Sequence, residues 1–151
     1  RVLPQQLRPL MAVRELRAGD EEALFALVAQ LGHAFPPDRG AFDRTVAAYL
    51  AGEQPTVLLY VAEDDARRVS GYALTTIVPL LSTNGLSAQL QEIVVDADAR
   101  GHDFGTQLVN AVQDECIRRG VTQLTVASRR AGGFYDRLGF HESAEYMRRF
   151  F

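Results

Sequence analysis

The chain has 151 residues and a mass of 16.7 kDa, the size of one domain, and can bury roughly two-thirds of its unfolded surface without a disulfide or metal staple. Apolar residues make up 47% and charged residues 23%, which excludes a disordered chain, and no apolar run approaches the ~20 residues of a membrane helix. Sixteen basic residues, all Arg, face nineteen acidic ones for a net charge of −3, so the basic excess of a nucleic-acid binder is missing and neither nucleic acid nor membrane is an expected partner.

Residues 1–10 carry Pro4 and Pro9, show no clean period and lack an apolar signal core. They read as a leader or expression remnant, with Met11 as a natural start and residues 11–151 as the folded domain. Residues 11–17 are short and strand-like. Asp20 is placed to cap a helix whose first turn holds Glu21 and Glu22, followed by an apolar stripe of Leu24, Leu27, Val28 and Leu31. Gly32 stops it. Asp38 caps a second helix with Phe42, Val46, Tyr49 and Leu50 on one face and Gly52 at its end.

The period then changes. Residues 56–62 (TVLLYVA) form the continuous apolar run of a buried strand. A polar turn at 63–68 leads to a strand at 69–78 that Pro79 ends, a loop at 80–86 with Asn84-Gly85, and a strand at 88–95. Residues 96–102 form a Gly-containing turn before a helix at 105–119, about 22 Å long at 1.5 Å per residue, which Gly120 stops. Residues 121–127 alternate as a strand, 130–138 form a short helix with Gly139 as left-handed cap, and 140–151 form a closing strand or strand pair.

This order, β-α-α-β-β-β-α-β-α-β, predicts an α/β (α+β) single domain with a mixed central sheet flanked by four helices. The strand–helix–strand unit at 88–127 is a right-handed crossover.

The chemistry concentrates in residues 90–106, LQEIVVDADARGHDFGT. A strand runs into a Gly-containing turn and then a helix, whose first amides and dipole converge on one spot, with Arg100 at the rim. The functional reading is a pyrophosphate site; the plain one is a tight strand-to-helix turn. A dinucleotide fingerprint is absent, and the lack of any Lys removes both a P-loop and a Schiff-base lysine.

The segment resembles the acyl-CoA-binding motif of the GNAT superfamily of N-acyltransferases: Gln or Arg, two residues, Gly, one residue, then Gly or Ala. Arg100 fills the first place and Gly105 the last, while Asp103 stands where the family has Gly. QEIVVDADARG resembles the family's fourth strand and the turn after it, AGGFYDRLGF its recurrent ending, and RELRAGDEEALFALVAQL its opening strand and helix. The resemblance implies an acetyltransferase with acetyl-CoA as co-substrate and no metal. The pyrophosphate would lie on Arg100, Gly101, His102, Asp103, Phe104, Gly105 and Thr106, and the pantetheine arm and acetyl carbonyl against Val94 and Val95.

It also implies roles. Tyr135, in the Phe-Tyr pair, is the candidate general acid, its hydroxyl neutral at pH 7 and able to donate to sulfur; the alternative is a structural Tyr with its hydroxyl in water. Phe134 joins the coenzyme-binding set, although a core anchor is the simpler role. Glu92 is the candidate general base through a water. Strand alternation puts it on the face of Leu90 and Val94, where apolar neighbours would raise its pKa; the alternative is a carboxylate paired with Arg. Ser128 either bonds the pantetheine amides or caps the next helix. His102 faces phosphate or only water, and His33 and His141 read as surface or interface residues. Cys116 shares a face with Val109 and Val112 and reads as core; a lone cysteine fits a reducing, cytoplasmic compartment.

The acceptor side would use residues 31–42, 79–87 and 141–149, with Pro36, Pro37, Asp38, Asn84 and Glu142. No acidic cluster marks a polyamine pocket, and the net charge favours a cationic small-molecule amine by steering. A homodimer through the last strands is expected, since HESAEYMRRFF alternates polar and apolar residues. Asp103 motivates a second reading: a coenzyme A-binding or regulatory module of GNAT fold with degenerate catalysis.

Overall fold

A computed structural model describes residues 12–32, 35–128 and 133–151. Residues 1–11, with the expected leader and Met11, His33 and the start of the last predicted helix lie outside the described residues, as does Arg129. Five strands form one sheet in chain order: β1 (Ala12–Glu15), β2 (Val57–Glu63), β3 (Val69–Leu80), β4 (Gly85–Val95) and β5 (Gln123–Val126). The first four are antiparallel neighbours, and β5 runs parallel to β4. The parallel pair needs a crossover, which α3 (Phe104–Arg118) supplies.

The apolar run of β2 has its reason in a sheet covered on both faces. Leu58, Tyr60 and Ala62 join α3's Leu108, Val109, Val112 and Cys116 in one core. Leu59 and Val61 join the other, under α1 (Glu21–Val28) and α2 (Arg39–Leu50) through Leu24, Leu27 and Val46. Cys116 is buried core, as its helical spacing implies. A short α4 (Phe134–Arg137) follows, and Gly139 takes φ +90 just beyond it, a left-handed position that favours glycine.

Asp38 caps α2 as expected, its Oδ1 accepting from the Ala41 amide at 2.7 Å. Asp20 does not cap α1 with its side chain. Its carboxylate instead accepts from Arg14 at 2.8 and 3.0 Å and from the Arg17 amide at 2.9 Å, because a half-buried guanidinium offers a stronger partner than a helix amide.

Pro79 does not end β3, which runs to Leu80 opposite Gly85. β2 stops opposite Thr76, so Pro79 has an open side where its missing N–H costs nothing. The expected 80–86 loop thereby shrinks to a hairpin turn with Asn84 at φ 56.

The expected closing strand does not form. Residues 140–151 are in neither strand nor helix, and Tyr146, Met147 and Phe151 are exposed. Alternation shows that a segment suits a sheet, but a strand also needs an aligned backbone edge, and this segment bonds to none among the described residues.

Candidate active site

Two irregularities of β4 build the site. The first is a bulge. Leu74 of β3 lies opposite Glu92, yet its neighbour Thr75 lies opposite Leu90, so Gln91 is an extra residue. The bulge reverses the alternation. Leu90 faces the α3 core, whereas Glu92 turns to the α1/α2 face with Val94. The expected common face of Leu90 and Glu92 is therefore corrected, since an inserted residue shifts every later side chain to the opposite face.

The second irregularity is a parting of strands. β5 pairs with β4 only over Ser87–Gln123 to Leu90–Val126. From Gln91 to Val95 the same edge of β4 has no strand beside it among the described residues, so its backbone groups are open to a ligand. The opening starts at the bulge and runs toward the N-terminus of α3.

Glu92 is half-buried, and its Oε1 accepts a 2.7 Å hydrogen bond from the Tyr72 hydroxyl. A fully buried phenol holds it, and no ion pair with an Arg is formed among the described residues. Burial first, then the charge and hydrogen bond of Glu92, push the Tyr72 phenol far above its ordinary range, so it stays a donor. Tyr72 escaped the sequence reading because the strand register that sets it diagonal to Glu92 is not encoded in spacing.

After Val95 the chain turns sharply. Asp96 accepts from the Asp98 amide at 2.9 Å, and the Ala97 amide donates to Gln30 Oε1 at 3.1 Å, which ties the turn to the segment after α1. Gly101 and Asp103 take positive φ of 87 and 62. The first intrahelical bond of α3 runs from Gln107 N–H to Asp103 O at 3.0 Å, so the amides of Phe104, Gly105 and Thr106 precede it and are open to an anion. Arg100, His102 and Asp103 are exposed, Phe104 is buried, and Arg100 makes no ion pair among the described residues.

Gly105 sits under α4. A Cβ there would lie 3.3 Å from Phe134 Cζ and 3.9 Å from Val95 Cγ2, which brings three predicted residues together at one floor. A cleft of about 420 Å³ opens over them, lined also by Arg100, Thr106 and Arg137. A larger one, about 730 Å³, lies on the other side of the turn, but its Asp64, Asp65, Asp96 and Asp98 outweigh the guanidinium of Arg68 and would repel a diphosphate. The smaller cleft suits that anion.

Tyr135 packs edge-on to Phe134 and Phe140, with ring centroids 5.0 and 5.5 Å away, on the α3 side of the sheet. Burial pushes its phenol up, so it carries its proton at neutral pH. Val94 is buried in the α1/α2 core, leaving only its backbone toward the parted edge. Ser128 is exposed, two residues past the last β4–β5 pair. Of the acceptor-side candidates, Asp38 is occupied as a helix cap and Asn84 as a turn residue, while Glu142 is exposed. No group of three or more His, Cys, Asp or Glu is placed to hold a metal among the described residues, and no helix is long and apolar enough to cross a membrane.

A parted parallel strand pair beside a helix N-terminus is the arrangement that the resemblance implies. The sequence pattern of the acetyltransferase (GNAT) domain matches residues 55–142, and the chain belongs to that family. Among solved structures it is similar to glucosamine-6-phosphate N-acetyltransferase from Arabidopsis thaliana (TM-score 0.81, 20% identity, covering 93% of this chain and 98% of that one). A transcriptional regulator from Bacillus halodurans C-125 gives a TM-score of 0.80 at 22% identity, covering 93% and 99% of the two chains. An acetyltransferase from Trypanosoma brucei gives 0.78 at 21% identity, covering 93% and 99%. These likenesses establish the fold. No curated protein sequence matches this chain.

Proposed function

We propose that this protein transfers an acetyl group from acetyl-CoA directly to the primary amine of a small-molecule or amino-acid-like acceptor. The observation that carries the reading is the end of β4–β5 pairing at Leu90–Val126, which leaves an open backbone edge leading to the N-terminus of α3. The free amides of Phe104 to Thr106 and the Arg100 guanidinium would hold the diphosphate, and the Gly105–Phe134–Val95 floor would take the arm below it. Acetyl-CoA supplies the activated thioester.

The chain's own groups then have three tasks. Glu92, through a water, takes the proton that the amine loses as nitrogen attacks the carbonyl carbon. The exposed amides of β4 stabilise the oxyanion. Tyr135 donates its proton to the departing sulfur as the carbon–sulfur bond breaks. Glu92 and Tyr135 belong to opposite faces of the sheet. An acid and a base so divided suit a thioester lying in the parting between those faces, with amine on one side and thiol on the other.

Net charge −3 supports a cationic acceptor. Pairing of two copies through the terminal residues and a cytoplasmic site of action belong to the same proposal. The test combines calorimetry with turnover. Acetyl-CoA should bind, and a panel of amines should yield free thiol and acetylated product. No heat and no rise in melting temperature with acetyl-CoA would overturn the reading. Binding without turnover on any amine would favour the coenzyme A-binding module that Asp103, beside the anion site, suggests.

A further inference from the structure

We propose that Tyr72 is a positioning residue for Glu92, holding one carboxylate oxygen so that the other points to the acceptor amine; this rests on Glu92 being the base. Tyr72 lies opposite Val94 in the β3–β4 register, and Glu92 lies opposite Leu74, so the two share a face as a diagonal pair. That neighbourhood exists only because the bulge at Gln91 reverses the face of Glu92. With 1% exposure, Tyr72 has no freedom to leave. Its hydroxyl donates to Oε1 at 2.7 Å, and no other hydrogen bond to the Glu92 carboxylate is formed among the described residues. A base tethered at one oxygen loses rotational freedom before the reaction rather than during it.

The surroundings favour Tyr72 as the controlling contact. From β3, Tyr72 is the titratable group that meets Glu92. α1 presents Leu24 and Leu27 to this core, while its Glu21 accepts from the Gly19 amide and its Glu22 pairs with Arg39. From α2, Val46 is buried here, and the Tyr49 hydroxyl donates instead to the Leu59 carbonyl at 3.4 Å. A hydrogen bond donated to a carboxylate favours its charged form. Removing the donor leaves the charged carboxylate without that partner.

The experiment compares wild type, Tyr72→Phe and Glu92→Gln, each checked for an unchanged fold by its melting transition. In Tyr72→Phe, kcat should fall about tenfold at neutral pH with KM for acetyl-CoA unchanged, and the acid limb of the kcat profile should move up by about one pH unit, the scale of one hydrogen bond to a charged group. Glu92→Gln should abolish that limb. A readout independent of activity is the carbon-13 titration of the Glu92 carboxyl, whose midpoint should rise by a similar amount in Tyr72→Phe. An unmoved midpoint and limb in Tyr72→Phe, with Glu92→Gln impaired, would reduce Tyr72 to core packing while leaving Glu92 as base. Full activity of Glu92→Gln would remove both roles.

Discussion

Asp103 combines two costs at one position. It holds φ 62, where a side chain is strained, and it puts a carboxylate beside amides suited to an anion. Its side chain does not cap α3, so no helix contact offsets either cost. Asp103→Gly should strengthen coenzyme A binding about fivefold by calorimetry, since a like charge near 4 Å in water is worth about 1 kcal/mol. Its effect on folding should stay under about 1 kcal/mol, because relief of the left-handed strain is offset by the greater chain entropy of Gly. Tyr135 makes the complementary case. Its ring is fixed by two aromatic neighbours and only its hydroxyl is available for chemistry. Tyr135→Phe keeps those ring contacts, so kcat should drop about 10²-fold or more while the dissociation constant for acetyl-CoA stays the same.

At the level of elements, β4 decides the site, and β3 and α3 hold β4 in place. Gly71 of β3 is a close point of that packing. A Cβ there would stand 3.0 Å from the Val94 carbonyl oxygen and 3.3 Å from Leu108 Cδ1. Gly71→Ala must push β4 or α3 outward, and overpacking of this kind costs about 1–3 kcal/mol. Chemical denaturation should show that loss. Coenzyme A affinity should weaken with it, because Val94 and the α3 N-terminus both shift. Several turns and helix ends are legible from their punctuation. Asn84-Gly85, Asp38 and Gly139 each stand where a local backbone demand is met. Asp20 and Pro79 were misread for one common reason. Each residue's role is set by a partner distant in sequence, Arg14 for the first and the short reach of β2 for the second.

For the whole molecule, charge and ligand linkage give the measurable behaviour. Glu115 accepts hydrogen bonds first from Arg118 and then from Arg119, and its carboxyl is held at about 2. In the unfolded chain it titrates near the ordinary value of about 4.3. The folded value is the lower, so the pair stabilises the protein above about pH 4 and stops doing so as pH falls toward about 2. Arg118 is largely exposed, which keeps the contribution modest. Melting temperatures of wild type and Glu115→Gln should differ most near neutral pH and converge as the solution is acidified; a constant gap would remove the linkage. Acetyl-CoA at a hundred times its dissociation constant should add about 2.7 kcal/mol of stability.

By itself the sequence determined the element order from β1 to α4 but not the closing strand, the two-faced burial of β2, the strand–turn–helix before α3 and the family likeness around residues 92–106 and 131–140. All of these are local patterns of period, charge and turn residue. Only the tertiary structure decided which face Glu92 takes, that Tyr72 holds it, where β4 and β5 part, and that the terminal segment bonds to no edge among the described residues. Register, bulges and strand ends depend on backbone pairing between segments far apart in the chain, and no spacing of residue types records that pairing.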